Sequence, residues 1–137
     1  MGADDRAEHV YRDSRLNPQQ PRSPLRGEIW WAHFATDTPG KNRPAVIVSQ
    51  NGRNQHPRAD SVLAIPLSTS TQKLGPWHLL LRAGETGLRE DSVVWAENIS
   101  TVSKDQLLEP VAGHRALTNT QICRLAWLVR IAMGCLE

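Results

Sequence analysis

Short apolar segments recur along residues 26–98, and turn-forming residues, always including glycine, separate each segment from the next. The segments are rich in β-branched and aromatic residues, a composition typical of β-strands. No long helical pattern lies between them, which predicts an antiparallel barrel or sandwich. Pro66 predicts that the third strand lies at an edge or contains a bulge. The predicted strands are 26–35, 45–50, 61–68, 77–82 and 91–98.

The C-terminal part of the chain carries a helical pattern instead. Thr118 followed by Gln121 matches a capping box, in which each side chain bonds the backbone N–H of the other. The earlier segment 101–108 predicts one helical turn capped by Ser103. The helix that begins after Thr118 is expected to pack one apolar face on the sheet. That predicted face consists of Ile122, Leu125, Ala126, Val129, Ala132, Met133 and Leu136.

Residues 1–25 differ in composition from the rest of the 137-residue chain. They combine four acidic residues and four arginines with Pro and Gln, and they contain few large apolar side chains. Such a segment buries too little apolar surface to offset the entropy of ordering, so we expect a mobile N-terminal extension. A partner-binding arm is the alternative interpretation. Residues 26–137 then form a single compact domain.

The overall composition is that of an ordinary soluble domain, with 39% hydrophobic and 22% charged residues. A net charge of +2 is too small to indicate nucleic-acid binding by itself. No apolar run approaches the length of a membrane span, and the N-terminus lacks an apolar signal core, so we expect a cytoplasmic protein. On one helix Cys123 and Cys135 would lie about 18 Å apart, too far for a disulfide. These thiols also lack the neighbours of a metal site.

Polar and charged side chains with chemical potential fall at strand ends. Arg43 opens the second predicted strand beside Lys41 and Asn42, and a hydroxyl-rich run from Ser68 to Lys73 closes the third. If these strands pair antiparallel, Arg43 and Ser68 become neighbours, and together they suit a phosphodiester. Donors placed there would stabilise negative charge on the phosphate without a metal. The alternative interpretation is a solvated arginine and a simple turn.

Four segments occur along the chain in the order "RGEIWWAHF", "RPAVIVSQNGRN", "AIPLST" and "DSVVWAENISTVSKDQLL". In this combination they resemble the MazF/PemK family of toxin endoribonucleases. The similarity covers residues 26–137, and it rests on the combination of segments rather than on any single one.

This resemblance implies a mainly β (α+β) fold, a small SH3-like antiparallel barrel with a C-terminal amphipathic helix that forms a homodimer. It further implies a type II toxin that cleaves single-stranded RNA at short motifs, without metal or cofactor. The expected products are a 2′,3′-cyclic phosphate and a 5′-OH, and a cognate antitoxin is the expected inhibitor.

The resemblance also assigns site residues by position. The catalytic arginine of the family falls on Arg43, and its catalytic threonine falls on Ser68, followed by Thr69. Serine keeps the hydroxyl donor but lacks the β-branch that stiffens χ1, so we expect activity with a looser site and support from Thr69. The residues expected to hold RNA are Lys41, Asn42, Gln72, Lys73, His78, Glu97 and Asn98.

Two departures from the family pattern leave the general base open. The 35–42 loop is shorter than the usual one and lacks its glutamate; Asp37 is the nearest acid and is not predicted to be equivalent. Some members place Arg and Asp, as acid and base, where this chain has Trp95 and Glu97. Trp95 cannot donate as arginine does, whereas Glu97 could act as a base or contact a base edge.

Two other functions are compatible with the same predicted barrel. A gyrase poison of the CcdB type would bind a protein target and would be insensitive to Arg43→Ala. A module with a decayed site would bind RNA in a salt-dependent way without producing new 5′-OH ends.

Overall fold

The computed structural model describes residues 22–72 and 74–135. Seven antiparallel strands form one sheet, and a long helix follows them near the C-terminus. The strands are β1 (Ile29–Ala32), β2 (Arg43–Ile47), β3 (Ser61–Ser68), β4 (His78–Leu81), β5 (Ser92–Trp95), β6 (Ser100–Ser103) and β7 (Leu107–Pro110). The helices are α1 (Asn51–Asn54), α2 (Ala83–Thr86) and α3 (Asn119–Ala132), with 3₁₀ turns at Ala96–Asn98 and Lys104–Gln106.

The sheet is organised around β3, the longest strand. It pairs with β2 along one side, while its other side pairs first with β6 and then, beyond Pro66, with β5. The prediction of an edge strand or a bulge at Pro66 is therefore wrong. Proline is tolerated in this interior strand because it stands between the last residue that pairs with β6 and the first that pairs with β5.

Both faces of the central strands are buried, which explains their nearly continuous apolar sequences. One face contributes to a cluster inside the curved sheet, made of Trp30, Ala32, Phe34, Ala45, Ile47, Val62, Ala64, Val102 and Leu107. The other face packs under α3 in a cluster that includes Ile29, Val46, Ile65, Leu67, Val94, Ile122, Leu125 and Leu128. The mainly β architecture with a C-terminal helix is the predicted one.

The start of α3 is as predicted, but its buried face is partly different. The Thr118 hydroxyl accepts a hydrogen bond from Gln121 N–H, and the Gln121 side chain bonds back to Thr118 N–H. Leu128, which was not predicted, is buried with Ile122 and Leu125. Ala126, Ala132 and Met133 are exposed, so their assignment to the buried face is wrong, while Val129 packs partly buried at its margin and Leu136 lies outside the described residues.

The buried face of α3 differs from the predicted one because α3 contacts the sheet and the Ala96–Asn98 turn along a narrow stripe. The spacing of apolar residues in the sequence does not fix the position of that stripe. Cys123 and Cys135 are exposed free thiols in this structure.

The segment between β5 and α3 is more extended than predicted. Ser103 caps a 3₁₀ turn, and its hydroxyl accepts from Asp105 N–H at 3.2 Å, as the sequence indicated. The predicted turn at 101–108 is otherwise two short strands, β6 and β7, flanking that turn. These strands are held by pairing with β3 and β1, which are distant in sequence.

The N-terminal boundary of the domain stays a prediction, because residues 1–21 lie outside the described part. Two of the described residues before Arg26 contact Glu28, which directly precedes β1: Arg22 donates to both of its carboxylate oxygens, and Leu25 N–H donates to the same carboxylate. Within residues 22–72 and 74–135, no helix is long and apolar enough to cross a membrane.

Candidate active site

A surface cavity of about 520 Å³ opens where the β1–β2 loop, β2, β3 and the turn after β5 meet. Apolar side chains form part of its wall. The wall also contains positively and negatively charged side chains, which indicates a polar ligand. Its lining consists of Phe34, Thr36, Asp37, Arg43, Pro66, Leu67, Ser68, Trp95, Glu97, Asn98, Ile99 and Ser100.

Strand pairing brings Arg43 and Ser68 to this cavity together. Ala45 pairs with Pro66 at the end of the antiparallel β2–β3 ladder, and two residues further along each strand Arg43 and Ser68 both line the cavity. The two residues thus share one cavity, as antiparallel pairing of their strands predicted. Ser68 Oγ accepts a hydrogen bond from Ser70 N–H at 3.1 Å, which leaves its own hydroxyl hydrogen available to donate.

Asp37 holds the Arg43 guanidinium in a two-point contact. Arg43 Nε donates to one carboxylate oxygen at 2.7 Å, and Nη2 donates to the other at 3.0 Å. The Asp37 side chain is 11% exposed and that of Arg43 is 34% exposed. The hydrogen bond from Arg43 lowers the pKa of Asp37, and the same contact raises the pKa of Arg43, so both groups stay charged at neutral pH.

A second polar cluster links β4 to Trp95 and Glu97, two residues of the cavity lining. His78 lies directly across from Trp95 in the β4–β5 ladder, and their rings stack with centroids 4.8 Å apart. His78 Nε2 is 3.2 Å from Glu97 Oε2, and Nδ1 accepts from Gly75 N–H at 2.8 Å. The Trp95 indole nitrogen is buried and has no hydrogen-bond partner in the part of the chain that the structure describes.

The remaining predicted site residues lie at different places relative to the cavity. Glu97 and Asn98 line it, whereas Thr69 and Gln72 are exposed on the segment after β3 and are not among the lining residues. Lys41 and Asn42 are exposed in the β1–β2 loop, also outside the lining. Lys73 lies outside the described residues.

Sequence reasoning missed the contribution of the β1–β2 loop. It identified Asp37 only as the nearest acid, and it did not predict that the Asp37 carboxylate pairs with Arg43. An acid in the loop directly before a strand-opening arginine is the one signal that could have indicated this contact. Phe34, Thr36 and Ser100 also line the cavity without having been predicted. The described residues contain no group of three or more His, Cys, Asp or Glu placed to hold a metal.

Comparison with known proteins places this chain in a family. Residues 25–129 match the family described as PemK-like, MazF-like toxin of type II toxin–antitoxin system. The chain is 33% identical over 103 residues to endoribonuclease MazF9 of Mycobacterium tuberculosis, an alignment that spans 71% of this chain and 87% of that protein.

Solved structures give the same result for the fold. An endoribonuclease in complex with its cognate antitoxin, from a mycobacterial species, superposes with a TM-score of 0.63 at 27% identity, over 84% of this chain and 98% of that one. A second mycobacterial endoribonuclease superposes with a TM-score of 0.64 at 26% identity, over 85% of this chain and 96% of that one. The resemblance and fold class predicted from the sequence are confirmed. The chain belongs to the PemK-like, MazF-like toxins of type II toxin–antitoxin systems.

Proposed function

We propose that this toxin cleaves single-stranded RNA in the cavity that Arg43 and Ser68 share. Endoribonuclease activity is the predicted function, and it accords with the family and with the endoribonucleases among its relatives. The observation that supports the assignment to this cavity is its lining, to which Arg43 and Ser68 both contribute. This pair can bind the non-bridging oxygens of one phosphodiester group.

In the proposed reaction, the RNA 2′-oxygen attacks the adjacent phosphorus. A new bond forms between the 2′-oxygen and phosphorus, while the bond from phosphorus to the 5′-oxygen breaks. Negative charge grows on the non-bridging oxygens in the transition state, where Arg43 and Ser68 donate hydrogen bonds. The 2′-OH loses its proton and the departing 5′-oxygen gains one, so the products are a 2′,3′-cyclic phosphate and a 5′-OH.

Glu97 is the carboxylate best placed to take the 2′-OH proton. Two carboxylates line the cavity, and both oxygens of Asp37 are engaged by Arg43. Glu97 Oε2 contacts His78, while Oε1 has no hydrogen-bond partner among residues 22–72 and 74–135. A carboxylate with one open oxygen can accept a proton from a bound hydroxyl group.

Exposed polar residues around the cavity would hold the rest of the RNA. Asn98 lines the cavity, and Lys41, Asn42, Thr69, Gln72 and Lys73 belong to the two segments that flank Arg43 and Ser68 in sequence. Attraction between these side chains and nearby phosphates would fix the register of the bound RNA strand. Contacts with base edges would select the cleavage motif.

The partners follow from the relatives. We propose a cognate antitoxin as the inhibitor of this chain, since one of its structural neighbours was solved with such a partner. We also propose a homodimer that works in the cytoplasm, where two exposed free thiols stay reduced.

Cleavage of a long single-stranded RNA in excess EDTA tests this function. Wild type is expected to give discrete cuts that end in cyclic phosphate, and Arg43→Ala and Ser68→Ala are each expected to lower kcat by about 100-fold or more. Arg89→Ala and Thr120→Ala, at exposed positions outside the cavity lining, are the matched controls. Uncut RNA with folded, antitoxin-free wild type would reject the nuclease and favour a protein-target toxin or a decayed binder.

A further inference from the structure

We infer that His78 is a positioning residue, which holds the Glu97 carboxylate in the orientation needed for proton transfer. This inference rests on the proposed role of Glu97. His78 is expected to act through Glu97 rather than by contact with RNA, because its two ring nitrogens are both engaged within the chain and its side chain is only 9% exposed.

The hydrogen-bond geometry assigns one tautomer to His78. The Gly75 N–H group can only donate, so Nδ1 must accept and carries no hydrogen. The ring hydrogen therefore sits on Nε2, which donates to Glu97 Oε2 at 3.2 Å. The loop before β4 thus fixes which nitrogen faces the carboxylate, as the third member of a catalytic triad does for its base.

A stacked aromatic ring fixes the plane of the imidazole. The ring of Trp95 stacks on it at an interplanar angle of 14°, and the β4–β5 ladder sets the two residues directly opposite each other. Trp95 stands where some family members place an arginine, and here its ring supports the histidine instead. An imidazole held by a stack and by a backbone donor loses little entropy when it binds a carboxylate.

The consequence for Glu97 is a restricted carboxylate. Glu97 is an exposed residue of the turn Ala96–Asn98, and a glutamate side chain at such a position samples several rotamers. The donor on His78 binds Oε2 and leaves Oε1 directed to other partners. Loss of that donor would spread the carboxylate over unproductive positions, and this would lower kcat without removing a contact to RNA.

Two substitutions of His78 test the roles of its two ring nitrogens separately. The amide oxygen of His78→Asn can take the place of Nδ1 and keep the Gly75 contact, but the side chain is too short to reach Glu97. The amide nitrogen of His78→Gln can take the place of Nε2 and keep the Glu97 contact. Both are compared with wild type in single-turnover cleavage of a short RNA that contains the mapped motif, with the Kd measured on the same RNA carrying a 2′-deoxy group at the cut.

We expect His78→Asn to lower kcat by about 10- to 100-fold at unchanged Kd, a part of the about 10²–10⁴-fold that general acid–base catalysis supplies. His78→Gln is expected to stay within about threefold of wild type. In a Glu97→Gln background the additional loss caused by His78→Asn should disappear, since residues that act as one unit are not additive. Thermal melting of every variant accompanies the kinetics.

The inference is overturned if His78→Asn is as active as wild type, if it weakens Kd rather than kcat, or if its loss persists with Glu97→Gln. Should His78→Asn not fold, His78→Gln decides alone: a folded Gln variant that loses more than tenfold in kcat rejects the donor role. Failure of the proposed function looks different, because Glu97→Gln would then cleave as fast as wild type, whatever the His78 variants do.

Discussion

Arg43 presents the Nε–Nη2 edge of its guanidinium to Asp37, at 2.7 and 3.0 Å from the two carboxylate oxygens. Within residues 22–72 and 74–135, Nη1 has no hydrogen-bond partner, so the far end of the fork is left for a ligand. The carboxylate fixes the direction of the arginine and does not consume all of its donors. In the proposed reaction Asp37 is a positioning residue for Arg43.

Asp37→Ala should therefore lower cleavage while Arg43 remains in place. Without the carboxylate the guanidinium gains rotamer freedom, and misplacement of a phosphate-binding group by about 1 Å can cost about 100-fold in rate. Asp37→Asn keeps an acceptor and should lose less. The measurement is kcat/KM on an RNA of known motif. Asp91→Ala, which removes hydrogen bonds from Arg82 and from Ala83 N–H outside the cavity lining, is the matched control. An increase in activity with Asp37→Ala would instead identify Asp37 as a competitor of the phosphate.

Ser68 offers a test of the hydroxyl itself. Ser68→Thr keeps the donor and adds a β-branch that restricts χ1, so activity is expected to equal or exceed that of wild type. Ser68→Val has nearly the same shape as threonine but no hydroxyl, and it should lower kcat by about 100-fold. Comparison of the two variants in single-turnover cleavage isolates the donor from the packing change. Equal rates for the Thr and Val variants would remove Ser68 from the mechanism.

Glu28 should make the folding stability decrease at acidic pH. Burial alone would raise the pKa of Glu28, but hydrogen bonds from Arg22, Leu25 N–H and Trp30 lower it below the usual value. Because the folded-state pKa is the lower one, this contribution is complete above the unfolded pKa and is lost as pH falls through the folded pKa. The free energy of unfolding from urea titrations should thus decline as pH falls below about 4.5, the ordinary pKa of a glutamate.

Glu28→Gln should lower that free energy by about 1–3 kcal/mol at neutral pH and flatten its acid dependence, since a buried charged acceptor is lost. Glu109→Gln, at an exposed glutamate, serves as the control. An unchanged acid slope in Glu28→Gln would show that other carboxylates carry the effect.

Substitution by alanine should change the folding stability in opposite directions at two glycines, one at the end of a short helix and one within a short helix. Gly87 ends α2 with φ of +77°, and a Cβ there would lie 2.2 Å from the Gly113 carbonyl oxygen. Gly52 lies within α1, and a Cβ there would meet no atom within 4 Å. Gly87→Ala should therefore destabilise the fold by more than about 1 kcal/mol, whereas Gly52→Ala should be neutral or stabilising by up to about 1 kcal/mol. Urea midpoints measure both, and equal midpoints would contradict the steric argument.

The sequence by itself determined those features whose signals are local. The bounds of β3 match the predicted 61–68, because alternation and turn residues act over a few positions. The Thr118–Gln121 box is present because both partners lie within one helical turn. The motif order was enough to indicate the family, and antiparallel pairing of two adjacent strands was enough to predict that Arg43 and Ser68 share one cavity.

Only the tertiary structure decided the features that depend on partners distant in sequence. The buried stripe of α3 includes Leu128 and leaves Met133 72% exposed, because the sheet beneath selects the face. Pro66 is accommodated in an interior strand because β3 changes neighbours there. His78 reaches Glu97 through the pairing of β4 with β5, a contact that neither segment encodes alone. Hydrophobic pattern fixes what a segment can form, whereas strand pairing and packing fix which side chains meet.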